Sequence, residues 1–104
     1  MPGGVILVFT RAPVAGKVKT RLIPKLGPAG AARLHAKLVH LTLRKVTEGK
    51  HDPVQLWCSP RRENLFFKQC RAAYGVSLHD QSGNDLGERM CNAFEQALLD
   101  YDWA

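Results

Sequence analysis

Apolar residues along this chain fall into two kinds of run, and their alternation lays out the elements. Residues 5–9, Val-Ile-Leu-Val-Phe, are continuously apolar and follow Gly3 and Gly4. Such a run predicts a strand over about 4–10 covered on both faces, the habit of parallel sheets sandwiched by helices. From Pro28 to about Thr47 the apolar spacing changes to threes and fours. Leu34, Leu38 and Leu41 form one row, and Ala32, Ala36, Val39, Leu43 and Val46 form a second. The two rows predict a helix over 28–47 with a broad buried stripe, Gly49 as its stop, and Arg33, Lys37, His40 and Arg44 on the wet face.

Pro53 to Cys58 predicts a second strand over 53–58, and Ser59-Pro60 reads as a helix cap followed by proline at the first helical position. The helix expected over 60–74 buries Leu65, Phe66, Cys70 and Ala73 and stops at Gly75. A short strand over 76–79 follows. Asp85, with Glu88 three residues later, opens a helix expected over 85–101 that carries Leu86, Met90, Ala93, Ala97 and Tyr101 on one side. Three strand-helix units, with helices long enough for right-handed crossovers, predict an α/β three-layer sandwich, half of a doubly wound parallel sheet with flanking helices. Ligands of such sheets bind off the carboxyl ends of the strands, and the loops over 10–25 and 80–87 both leave from there.

Charge sharpens this picture. The chain has 104 residues, the size of one domain, and a formal charge of +6. Residues 1–50 hold ten Lys and Arg against Glu48 alone, whereas residues 51–104 hold five against eight acids. The first half therefore faces an anion or carries a solvated basic surface. Cys58, Cys70 and Cys91 have neither C-x-x-C spacing nor an even count, which suits free thiols in a reducing cytoplasm. The run Val5–Phe9 is too short for a signal segment or a membrane span.

Two stretches carry candidate chemistry. The first is "FTRAPVAGKVKTRL", residues 9–22. It is not a Walker A loop, because Arg11 stands where the first glycine is needed and Val18 where Ser or Thr is needed. Lys17, Lys19 and Arg21 alternate as in an extended segment that aims them to one side, and with Arg11 they could clasp a pyrophosphate. The second is "QSGNDLGERM", residues 81–90. Helix capping accounts for Asp85 and Glu88, but Gln81 offers an amide to a base or ribose, Gly83 permits close backbone approach, and Arg89 lies one turn into the helix. His35, His40, His51 and His79 have no metal-ligand spacing with the cysteines, and no metal site is assigned.

Taken together, these two stretches resemble the paired signatures of a bacterial family of GT-A-type glycosyltransferases related to nucleotide-diphospho-sugar transferases, this chain matching the N-terminal part. The resemblance implies a Rossmann-like sheet with the first strand central, a nucleotide diphosphate across the carboxyl ends, and transfer of a sugar to an acceptor. Arg11, Lys17, Lys19 and Arg21 would neutralise the diphosphate. Gln81, Gly83 and Asp85 would lie beside the nucleoside, and Arg89 would reach back to the phosphates or brace the loop. Catalytic residues are not assigned.

The family also implies a divalent cation, Mg or Mn, held by an acidic motif after a further strand. This chain ends at "LLDYDWA", where Asp100 and Asp102 fall at a helix end, so the metal role is not carried to them. The expectation is a truncated nucleotide-binding domain, inactive in isolation, whose unpaired Val5–Phe9 edge invites self-association. Two other readings stand beside it. One is a nucleotidyltransferase of similar fold using a nucleoside triphosphate. The other is a small basic module that docks nucleic acid through Arg33, Lys37, His40 and Arg44, disfavoured because that helix has no aromatic side chain for stacking bases.

Overall fold

The computed structural model describes residues 3–48 and 52–104. Strands β1 (Ile6–Arg11), β2 (Val54–Ser59) and β3 (Ser77–Asp80) form one parallel sheet in the order β1-β2-β3. The register sets Ile6 beside Val54 and Arg11 beside Ser59, then Gln55 beside Ser77 and Cys58 beside Asp80. Helices α1 (Ile23–Thr47), α2 (Leu65–Tyr74) and α3 (Leu86–Ala97) form the crossovers. Gly27, at φ 72°, breaks α1, so its continuous part starts at Pro28, as the sequence predicts. The predicted stop, Gly49, lies outside the described residues.

Strand alternation divides the core. Val54, Leu56 and Cys58 point to one side with Ile6 and Val8, where Val39 and Leu43 of α1 and Phe67 and Cys70 of α2 cover them. Phe9 and Trp57 point to the other side, where Phe9 lies 6.3 Å from Phe94 of α3, and Ala93 and Ala97 are buried. Two helices on one face and one on the other make three layers, a Rossmann-like α/β arrangement.

The structure corrects several details. The strand fully buried on both faces is β2, whose residues from Val54 to Cys58 are all buried, while Ile6 to Phe9 are half-buried. β1 is an edge of this three-stranded sheet, as the sequence predicts for these residues alone. That edge is not wholly unpaired: Val5 N–H donates to the Trp103 carbonyl (3.0 Å) in an isolated parallel bridge between Gly4 and Trp103. Ile6 and Ala12 donate toward β2. Alternation along a parallel ladder therefore leaves the backbone groups of Leu7 and Phe9 on the open side.

Helix phases shift as well. Leu38 and Leu41 are 41% and 50% exposed, because the Ala-Val-Leu row faces the sheet and the leucine row lies beside it. His40 is not on the wet face: its Nδ1 bonds the Tyr74 hydroxyl (2.8 Å) and its ring meets Phe66 edge-on, joining α1 to α2. Ser59 caps nothing. The Ser59–Pro60 peptide is cis, residues 61–64 turn, and Asn64 caps α2 by accepting from Phe66 N–H (2.9 Å). This start leaves Leu65 and Ala73 exposed and buries Phe67. Gly75 ends α2 at φ 70°. α3 stops at Ala97, short of Tyr101, and Leu86 and Met90 are exposed.

Candidate functional site

Gln81, the first residue after β3, ties the carboxyl ends of the sheet together. Its backbone N–H donates to the Cys58 carbonyl (3.0 Å). Its side-chain nitrogen donates to the Trp57 carbonyl of β2 (2.9 Å) and to the Thr10 carbonyl of β1 (3.3 Å). One side chain thus holds two strand ends in place and supports a cleft of about 370 Å³ at the end of β1. Thr10 and Arg11 form one wall, His35 of α1 a second, and Gln81, Asp85 and Arg89 a third. Residues some seventy positions apart meet here because parallel strands bring both loops to the same end of the sheet.

The loop before α3 is held from within. Asp85 Oδ1 accepts from Glu88 N–H (2.8 Å), and Glu88 Oε1 accepts from Asn84 N–H (3.1 Å), a reciprocal cap. Arg89 Nε donates to the Gly83 carbonyl (3.0 Å), and Asn92 donates to the Ser82 carbonyl (2.7 Å). The glycine at 83 has a packing reason: at φ 143° a Cβ would stand 2.8 Å from the Arg89 backbone nitrogen. Arg89 braces the loop through Nε and lines the cleft.

The basic loop differs from expectation. It is not extended, because Gly16 at φ 84° and Lys19 at φ 50° turn the chain before the 3-10 turn Thr20–Leu22. Strand alternation therefore does not put Lys17, Lys19 and Arg21 on one side. Buried Val18 anchors the loop, and all three cations are exposed. Only Arg11 of the four lines the cleft at the end of β1, while Lys19 lines a smaller adjoining hollow of about 180 Å³ with His35 and Leu38.

His35 is the residue that sequence reasoning missed. Its Nε2 donates to the Arg11 carbonyl (2.8 Å), with Thr10 Oγ1 3.4 Å away. A carbonyl can only accept, so Nε2 carries the proton. The signal for it was its place in the row His35, Val39, Thr42, one step from the buried stripe and near the start of the helix.

A larger concavity, about 600 Å³, lies between β3 and α3. The His79 ring stacks on Trp57 there at 4.7 Å. Burial first, then the nearby Arg62 cation, push His79 below its ordinary value, against the pull of Asp80. Arg62 and Asp80 satisfy one another, Arg62 N–H donating to Asp80 Oδ1 at 2.7 Å. This groove runs along α3 and holds neither Arg11 nor Gln81, so the smaller cleft at the strand ends is the better candidate despite its size. The nearby thiols are inert: burial pushes Cys58 up to about 12 and Cys70 up to about 11.

Comparison with known proteins agrees with this fold. A solved structure from Desulfovibrio desulfuricans G20, described as a "putative nucleotide-diphospho-sugar transferase", is 31% identical and superposes with a TM-score of 0.79. The similarity covers 97% of this chain and 44% of that one, so the chain spans less than half of its relative's length. No curated protein sequence matches. Residues 42–102 match the profile of a family described as "Uncharacterized protein conserved in bacteria (DUF2064)". With well over half of its length inside that profile, and a fold shared with a nucleotide-diphospho-sugar transferase structure, the chain belongs to the DUF2064 family.

Proposed function

We propose that this chain is the nucleotide-binding portion of a sugar-nucleotide-dependent glycosyltransferase. The observation that carries the reading is the cleft at the end of β1, where Arg11 and Arg89 share a wall system with Gln81 and Asp85. Two guanidiniums suit a diphosphate, since each offers paired donors at fixed spacing. Gln81 and Asp85 face the nucleoside. Lys17, Lys19 and Arg21, exposed on the adjoining loop, raise the local concentration of an anionic ligand more than they grip it.

A divalent cation belongs to the chemistry this family resemblance implies, where it would stabilise the leaving diphosphate. The described residues do not fit one: no group of three or more His, Cys, Asp or Glu among them converges on a common point. No step is therefore assigned to a metal held by this chain.

Isothermal titration with a nucleoside diphosphate tests the reading. Wild-type protein should bind, and Arg11→Ala or Arg89→Ala should each weaken binding by about ten- to a hundredfold, the loss of one charge-assisted contact. Lys37→Ala on the wet face of α1 should change it little. Equal affinity in wild type and both arginine variants would refute the assignment.

A further inference from the structure

Helix α1 turns two unlike flanks to its surroundings. On one, His40 meets Phe66 and Tyr74 and joins the helix to α2. On the other, Leu38 lines the small hollow beside Val8, Phe9 and Lys19, so the row Leu34, Leu38, Leu41, half-buried to exposed, runs along the open edge of β1. Beneath it, strand alternation leaves the N–H and C=O groups of Leu7 and Phe9 pointing out of the sheet, while Trp103 takes the outward side of Val5. An apolar row above unpaired strand groups suits another strand better than water.

Charge is divided along the same edge. Arg11 and Lys19 are exposed at its carboxyl end. At its amino end lie Asp100 and Asp102, both exposed, with the Asp102 N–H donating to the Gly3 carbonyl (2.8 Å). We propose that two copies of this chain pair through β1 in an antiparallel, two-fold dimer, a reading independent of the nucleotide site. With the axis at Val8, Leu7 of each copy faces Phe9 of the other, and each such pair exchanges both of its N–H···O bonds. The axis stands perpendicular to the sheet, so both α1 helices lie on the same face and their leucine rows meet across it. The Trp103 bridge at Val5 keeps the new ladder short, and the leucine contact carries much of the association. Antiparallel order turns Arg11 and Lys19 of each copy toward Asp100 and Asp102 of the other, whereas parallel pairing would gather the cations of both copies at one end. A second copy is thus the occupant to which strand groups, apolar row and charge all point; a nucleic acid would leave the leucines against phosphate.

Sedimentation velocity and light scattering on the 104-residue chain, from about 1 μM to about 1 mM, should give a monomer–dimer equilibrium. Amide hydrogen exchange should show Leu7 and Phe9 gaining protection as the dimer fills. Leu38→Lys and Leu41→Lys should each weaken the dimer by about tenfold or more, whereas Leu65→Lys and Leu86→Lys, at exposed apolar positions on α2 and α3, should not. Arg11→Glu and Asp102→Lys should each weaken self-association, and mixing these two proteins should restore it, because only the mixed dimer matches charges at both ends. A monomer at every concentration, assembly that grows beyond two copies, or a dimer indifferent to Leu38→Lys with Leu7 and Phe9 unprotected overturns the proposal. The exchange measurement needs only wild-type protein, so it decides even where a variant fails to fold.

Discussion

His79 shows how one side chain can tie stability to pH. It stacks on Trp57, its Nε2 lies 2.9 Å from the Ser77 hydroxyl, and the fold holds it below its ordinary value of 6.5. The unfolded chain thus takes up the proton more readily than the folded one. Its stabilising contribution is complete above the ordinary value and is lost as the pH falls through 6.5. Urea midpoints should drop between about pH 7 and pH 5 in wild type, and less steeply in His79→Phe, which keeps a stacked ring and removes the titration. At this scale the site was legible in part. Arg11, Gln81, Asp85 and Arg89 stand out because charge and loop chemistry single them out locally. His35 did not, since its contact with the Arg11 carbonyl depends on how α1 is rotated over β1.

Whole elements were easier to read than their phases. All three strands and all three helices follow from apolar runs and spacing, yet the buried face of each helix depends on what packs against it. In α1 the leucine row and the Ala-Val-Leu row are adjacent, and only the sheet decides between them. The start of α2 shows the same ambiguity in capping. Ser59 and Asn64 both have cap chemistry, but the turn over residues 61–64 gives the role to Asn64. Asn64→Ala should lower unfolding free energy by about 1 kcal/mol in denaturant titrations, whereas Ser59→Ala should have a smaller effect. Equal losses would mean that Ser59 holds the β2 exit by another route.

Over the whole molecule, three parallel strands joined by helical crossovers put both candidate loops at one end of the sheet, a placement that connection order alone dictates. What the order of elements did not disclose is the bridge at the opposite end, where a Cβ built on Gly4 would lie inside the Trp103 indole. Gly4→Ala should therefore displace Trp103 and speed hydrogen exchange at the Val5 amide, measured by NMR, with little change at β2. Unchanged protection of Val5 would place its partner elsewhere. This bridge joins positions 4 and 103, so its loop-closure entropy is repaid only after the sheet and α3 have docked. A contact of such sequence separation should close after the sheet has formed, which would make the second neighbour of β1 a late acquisition.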